Sequence, residues 1–289
     1  MKHIFLVNSF GLRNKTNDMI NRIKRVSDNL KLDYVIEVND LNNSTEDIVN
    51  KYKKSEVIIF AIGGDGVINR VLNSIVDTKN ILGFIPCGTG NDFYKSVRES
   101  FKYKIEETDI FKINERYFIN VSCFGIDADI GNDTTVIRNK LIPKSLKYSI
   151  SIINNFLNYT PRKFKIYVND KIYKGEFSTI AVCNAGYYGG GYKINPNYNM
   201  NDGLLDVIVA NKLSKLNLIK FVFKTKKGTH IKSKNVKYFK TDKITIKSDN
   251  EISANVDGET LTNNVFKISK TNKKIKVYYN SKLINALKD

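Results

Sequence analysis

Cysteine, histidine and long apolar runs are scarce in this chain, and each scarcity removes a class of protein. Its 289 residues include three cysteines and two histidines. Cys87, Cys123 and Cys183 are far apart, odd in number and without metal-ligand spacing. They support neither a disulfide framework nor a zinc site, and read as buried thiols in a reducing compartment. His3 falls in a first strand and His230 in a lysine-rich segment, where it reads as a surface or structural residue. No Ser-His-Asp set is evident. The longest apolar run, Val57 to Ile62, is about six residues, far short of the roughly 20 that cross a bilayer. A soluble or peripheral protein is the expectation. The apolar stretch within Met1 to Asn8 is too short for a signal peptide and lacks a small-residue cleavage site, so it reads as the first strand of a cytosolic protein.

Acidic residues are also in deficit, with 29 Asp+Glu against 47 Lys+Arg and a formal net charge of +18. That balance favours an anionic partner: nucleic acid, an acidic membrane surface or a phosphorylated substrate. Only eight of the basic residues are arginine. Nucleic-acid readers lean on arginine for bidentate and stacking contacts, so no nucleic acid is expected, and a lysine surface suits lipid headgroups better. Lys224, Lys226, Lys227, Lys232, Lys234 and Lys237 crowd around Gly228, and Arg138, Lys140, Lys144 and Lys147 form a second group. Both are expected to face an anionic membrane.

What is present is an alternating pattern in the first part of the chain. His3 to Val7 reads as a strand, Met19, Ile20, Ile23, Val26 and Leu30 have helical spacing, and Tyr34 to Val38 reads as a second strand. Ser44 is a candidate helix cap, with Glu46 and Asp47 in the first turn. Val57 to Ile62 and Ile81 to Ile85 read as two more strands around a helix carrying Ile68, Val71, Leu72, Ile75 and Val76. Such alternation predicts a parallel sheet with helices packed on it and ligands beyond the carboxyl ends of the strands.

After about residue 115 the pattern changes to short β-runs. Tyr117 to Phe124 is strand-like, and Phe164, Ile166 and Val168 lead through Asn169-Asp170 to Ile172-Tyr173 as a hairpin. Further runs are Phe177 to Cys183, Leu204 to Ala210, Val236 to Phe239, Ile244 to Ile246 and Val265 to Ile268. Two helices interrupt them. One carries Leu146, Ile150, Ile153 and Leu157 on a face, and the other carries Leu216, Ile219 and Phe223 after a Ser214 cap. A mostly antiparallel β domain follows the α/β domain in this reading.

Gly63-Gly64-Asp65-Gly66 lies directly after a strand and opens a helix. Glycines there let the backbone approach a bound group, and the N–H groups of the helix start face it, so phosphate is the natural guest. A carboxylate within the loop repels phosphate unless a divalent cation or a transferred proton lies between them, which suggests metal-nucleotide chemistry. Four more segments stand out: Gly88-Thr89-Gly90-Asn91-Asp92-Phe93 after another strand, Gly186 to Tyr192, Asn199-Met200-Asn201-Asp202-Gly203-Leu204-Leu205-Asp206, and Val256-Asp257-Gly258-Glu259.

In this order, the segments Gly-Gly-Asp-Gly, Gly-Thr-Gly-Asn-Asp-Phe, Asn-Asp-Gly-Leu-Leu-Asp and Asp-Gly-Glu resemble the diacylglycerol kinase catalytic domain family. The resemblance is to its soluble bacterial lipid-kinase branch, related to sphingosine and ceramide kinases, and covers nearly the whole chain. It implies an NAD kinase-like α/β nucleotide domain at residues 1–118 and 275–289, and an antiparallel β-sandwich lipid domain at 119–274. The active site is expected in the cleft between them. It further implies transfer of phosphate from ATP to a lipid hydroxyl, most often that of diacylglycerol.

Residue by residue, the resemblance implies ATP contacts at Gly63, Gly64, Asp65, Gly66, Val67, Ile68, Asn69 and Thr89, with Asn39 the approximate counterpart of a further family threonine. Asp65 and Asp92 would lie near Mg²⁺ and the substrate hydroxyl, and Glu259 would be the general base. Asp202, with main-chain oxygens around Asn199 and Leu204, would hold a structural magnesium. Val67 stands where the family usually has threonine, so a hydroxyl able to bond phosphate is missing. Phosphoryl transfer needs positioning and charge neutralisation more than covalent catalysis, so main-chain donors, Mg²⁺ and one carboxylate base suffice. The rival readings are an NAD kinase and a noncatalytic lipid- or nucleotide-binding protein on the same fold. Cytoplasmic location with peripheral membrane association is expected, and homodimerisation is left open.

Overall fold

The computed structural model describes residues 1–132, 155 and 159–288. The expected helix through Leu146, Ile150, Ile153 and Leu157, and the basic group at Arg138, Lys140, Lys144 and Lys147, lie outside the described residues. The chain forms two compact units, residues 1–108 with 273–289 and residues 109–272.

The first unit is a parallel sheet flanked by helices. In chain order it runs β1 (His3–Asn8), α1 (Thr16–Asn29), β2 (Tyr34–Asn39), α2 (Thr45–Asn50), β3 (Ile58–Gly63), α3 (Asp65–Ile75), β4 (Ile81–Pro86) and α4 (Asp92–Ser100). The strand order is β2-β1-β3-β4, all parallel, and Val277 and Tyr278 add a parallel pairing against Leu82 and Gly83. Helices on both faces explain why β1, β3 and β4 are almost uniformly apolar rather than alternating. His3 joins this core as an aromatic, its ring stacked on Phe60 at 5.5 Å, and burial lowers its pKa. Ser44 caps α2 in a reciprocal capping box with Asp47. The register brings Asn8, Asn39, Gly63 and Pro86 to one edge of the sheet, its carboxyl edge.

The second unit is antiparallel. Its strands are β5 (Ile105–Ile113, in this unit from Asp109), β6 (Arg116–Phe118), β7 (Val121–Gly125), β8 (Arg162–Val168), β9 (Lys171–Cys183), β10 (Leu205–Asn211), β11 (Val236–Thr241), β12 (Lys243–Val256) and β13 (Glu259–Tyr278, in this unit as far as Asn272). Among the described residues, helices α5 (Ile126–Asn132) and α6 (Lys215–Lys226) accompany them. The expected hairpin is β8–β9, and Asn169 and Asp170 both take positive φ, 48° and 58°, as its two-residue turn requires. Alternation along the strands sorts side chains into two cores. Val182, Val207 and Val209 face Phe124, Phe164 and Phe266 inside the sandwich. Ala181, Cys183, Ile208 and Ala210 face the other way, where Ile126, Ile130, Leu218 and Phe221 cover them.

Two local expectations are corrected. The run Tyr117 to Phe124 is not one strand, because the N–H groups of Ile119, Asn120 and Val121 are captured by the Asp257 carboxylate and the chain turns between β6 and β7. On α6 the buried face is Leu218, Phe221 and Thr225. Leu216, Ile219 and Phe223 point to solvent. Helical spacing alone cannot tell which of two apolar stripes meets the core. Among the described residues, no helix is long and apolar enough to cross a membrane.

Candidate active site

In the first unit, two loops leave the carboxyl edge of the sheet side by side. Gly63 ends β3, Gly64 precedes α3 in an extended conformation, and the Cys87 N–H donates to Gly63 O at 2.9 Å. The glycines at this crossing are required by contact with backbone. A Cβ built on Gly88 would stand 2.5 Å from the Gly64 Cα, and no main-chain atom can step aside from it. A Cβ on Gly63 would stand 2.5 Å from Val67 Cγ2, so Val67 occupies the space this glycine leaves.

Asp65 binds the two loops together. Its Oδ2 accepts the Asp92 N–H at 3.1 Å and its Oδ1 accepts the Phe93 N–H at 3.0 Å, at the start of α4. A carboxylate at a helix N-terminus satisfies N–H groups that lack intrahelical partners and meets the positive end of the helix dipole. Part of the puzzle of an acid in a phosphate loop is thereby resolved, since its charge is directed into α4. The second loop carries its own brace: Gly88 N–H donates to Asn91 Oδ1 and Asn91 Nδ2 to Gly88 O, both 2.9 Å, with Asn91 left-handed at φ 52°. Lys95 donates to Gly90 O at 2.8 Å and to Asp92 Oδ1 at 3.1 Å. Burial pushes the Cys87 thiol upward, against the pull of Arg22 and Lys288, so it stays neutral.

In the second unit, Asp257 organises the Asp-Gly-Glu turn. Its carboxylate, 3% exposed, accepts the N–H groups of Ile119 at 2.8 Å, Asn120 at 3.0 Å and Val121 at 2.9 Å. Asp257 and Gly258 both have positive φ, and Glu259 follows as the partly exposed first residue of β13, paired with Val256. Beside it, Thr260 Oγ1 and Asn255 Nδ2 both donate to Asn132 Oδ1 at 2.9 Å.

The Asn199–Leu204 loop is held from several sides. Asn201 N–H donates to Asn199 Oδ1 at 3.1 Å, and Gly203 N–H to the buried Asp109 at 2.6 Å. Asp202 Oδ1 accepts the Leu204 N–H at 3.0 Å, and its Oδ2 receives Lys240 Nζ at 2.7 Å. Lys240 also reaches Asp206, which is 1% exposed and further bonded by Asn195 and Tyr238. Burial works against the Lys240 charge, but Asp202 and Asp206 outweigh it and raise its pKa. The Asp202 carboxylate that the resemblance assigns to magnesium thus shares the Lys240 ammonium with Asp206, and among the described residues no three acidic, imidazole or thiolate side chains converge.

Residues 2–115 match the model of the diacylglycerol kinase catalytic domain, and residues 120–278 match that of the YegS C-terminal NAD kinase beta sandwich-like domain. The chain belongs to the diacylglycerol kinase catalytic domain family. It is 28% identical to a diacylglycerol kinase of Bacillus subtilis (strain 168), over 70% of this chain and 71% of that one. To a diacylglycerol kinase of Staphylococcus saprophyticus it is 27% identical, over 76% and 75%. A crystal structure of a diacylglycerol kinase from Bacillus anthracis str. Sterne shares the fold, with a TM-score of 0.67 at 18% identity over 98% of each chain. An NAD kinase from Archaeoglobus fulgidus in complex with ATP has a TM-score of 0.50 at 12% identity, over 99% of this chain and 96% of that one.

Within this family, the first unit brings together most of the residues assigned to ATP. Gly63, Gly64, Asp65, Gly66 and Thr89 are at least partly exposed at the loop crossing. Val67, Ile68 and Asn69 are buried beneath it. Asn39 is buried at the end of β2, its Nδ2 on Thr45 Oγ1 at 2.7 Å and its carbonyl receiving Ser9 Oγ at 2.7 Å. Asp65 and Asp92 adjoin through the Asp92 N–H. Glu259, Asn199, Asp202 and Leu204 all belong to the second unit. Sequence reasoning passed over Asp257, Asn91 and Lys95 as separate contributors. Their signals were an acid directly before a turn glycine, an asparagine at a helix start, and a lysine three residues after an acid.

Proposed function

We propose that this member of the family is an ATP-dependent lipid kinase acting on diacylglycerol, producing phosphatidic acid and ADP. The observation that carries the reading is the double-glycine crossing at Gly64 and Gly88, locked by Asp65, within a chain of this kinase family. Such a cradle is built from main chain, whose N–H groups at a helix start suit phosphate oxygens, and it does not depend on the hydroxyl that Val67 lacks. The names of the Bacillus subtilis and Staphylococcus saprophyticus relatives favour diacylglycerol among lipid hydroxyls.

In this reading the lipid hydroxyl oxygen attacks the γ-phosphorus, the bond to the β,γ-bridging oxygen breaks and ADP leaves. The hydroxyl proton passes to the Glu259 carboxylate, which the Asp257-Gly258 turn orients. Magnesium, when it accompanies ATP, neutralises phosphate charge, and Asp65 and Asp92 are the carboxylates placed at the loop crossing. The loop at Asn199–Leu204 has a structural part only.

Labelled ATP offered with diacylglycerol, other hydroxyl lipids and NAD tests the reading. Transfer to diacylglycerol above the others is expected. Transfer to NAD would establish the NAD kinase alternative, and nucleotide binding without transfer to any acceptor would establish the noncatalytic one.

A further inference from the structure

Helix α6 carries two apolar stripes, and only one of them is used. Leu218 and Phe221 pack into the core of the second unit, with Thr225 buried beside them. Leu216, Ile219 and Phe223 follow the i, i+3, i+7 spacing of a second stripe and are 73%, 42% and 68% exposed. Ten large hydrophobic side chains are exposed among the described residues, and three of them lie together on this one helix. A contiguous exposed apolar stripe is a mark of an interaction surface, whereas single exposed apolar residues are ordinary.

Charge identifies the partner. Residues 207–241 contain ten lysines and no aspartate, glutamate or arginine. At 100° per residue, Lys215 and Lys226 fall on one flank of the stripe and Lys220, Lys224 and Lys227 on the other. All five are exposed. A second copy of the chain is a poor occupant, because a two-fold pairing would press lysine flank against lysine flank. One helical stripe also falls short of the roughly 1,000 Å² that a stable protein interface buries. Nucleic acid gains nothing from Leu216 and Ile219, and arginine is absent. An anionic bilayer answers both features at once, since apolar side chains enter the headgroup–acyl boundary while lysine stems lie along it and their ammoniums meet phosphates.

We propose that α6 is a membrane-interface helix, inserting Leu216, Ile219 and Phe223 into an anionic phospholipid surface that its flanking lysines bind. The helix is capped at both ends, with the Ser214 hydroxyl accepting the Asn217 N–H at 3.4 Å and Gly228 closing its C-terminus at φ 70°. It can therefore present the stripe without unfolding. The proposal stands apart from phosphoryl transfer.

Co-sedimentation of the full chain with phosphatidylcholine vesicles, with and without phosphatidylglycerol, at low and high salt, tests it. Binding is expected only with the anionic lipid and should weaken with salt. A triple change of Leu216, Ile219 and Phe223 to serine, and separately Lys220→Glu with Lys224→Glu, should each weaken partitioning by at least about tenfold. Because all five side chains are exposed, the melting temperature should stay constant, which separates lost binding from lost fold. Turnover of a short-chain diacylglycerol free in solution should also be unchanged in these variants. Wild-type binding indifferent to anionic lipid, or variants that bind like wild type, would overturn the proposal, as would a dimer that the serine changes dissociate. Absence of turnover with any acceptor, with vesicle binding intact, would count against the kinase reading and leave this one standing.

Discussion

Phe93 donates its backbone N–H to Asp65 Oδ1 at 3.0 Å, while the Asp92 N–H donates to the other oxygen at 3.1 Å. One carboxylate thus fastens the glycine loop after β3 to the first turn of α4. Asparagine keeps one acceptor and turns an N–H₂ group toward the other donor. Asp65→Asn should lower unfolding free energy by about 1–3 kcal/mol and weaken nucleotide binding, as read by denaturant titration and by calorimetry with ATP. Wild-type values in both would mean that the tie carries no weight.

Gly88→Ala should be more severe for the nucleotide site than for the rest of the fold. The added methyl meets the Gly64 backbone at 2.5 Å, so the two loops must separate. A stability loss of about 1–3 kcal/mol is expected, with ATP affinity falling at least about tenfold. Unaltered affinity would contradict the crossing as a phosphate cradle.

Much of the local structure was legible in the sequence, and the reasons are short-range. Glycines before a helix, a Ser44 cap, and an Asn169-Asp170 turn are short-range signals that tertiary structure did not override. What stayed hidden depends on partners far along the chain. Nothing near Asp257 announces that it will hold the backbone of Ile119 to Val121, and nothing near Lys240 announces Asp202 and Asp206. On α6 both apolar stripes satisfy the same spacing. Only the packing of Leu218 and Phe221 shows which one is buried.

Lys240 supplies a positive charge to Asp202 in the Asn199–Leu204 loop and to the buried Asp206 beside it. In the absence of ATP, the melting temperature of the wild type should not change between Mg²⁺ and a chelator. Lys240→Met should lose about 1–3 kcal/mol, discounted for the partial exposure of the lysine, because the buried Asp206 loses a counter-charge. A clear rise in wild-type melting temperature with Mg²⁺ alone would contradict this.

His230 gives stability a specific dependence on pH. It is fully buried, edge-on to the Phe221 ring at 5.3 Å, and burial pushes its pKa down to about 4, opposed by the backbone at Ile194 and Lys224. The unfolded chain, with an ordinary histidine near 6.5, binds the proton more readily. Its contribution is therefore present above about pH 6.5 and lost as pH falls toward 4, by about 3 kcal/mol at most. Stability curves of wild type and His230→Leu should converge in slope above that window, with the wild type alone gaining the extra fall within it. Parallel curves across the window would rule out His230 as the source.

The most direct measurement is transfer of labelled phosphate from ATP to diacylglycerol by wild type and Glu259→Gln, with Asp257→Asn as a control on the turn. Glu259→Gln should keep its melting temperature and its ATP affinity while kcat falls at least about 100-fold, the scale of general-base removal. Asp257→Asn, which weakens a three-N–H anchor, should lose stability as well as turnover. A Glu259→Gln protein that phosphorylates diacylglycerol at the wild-type rate would contradict the assignment of the base, and a wild type that transfers nothing to diacylglycerol would contradict the kinase itself.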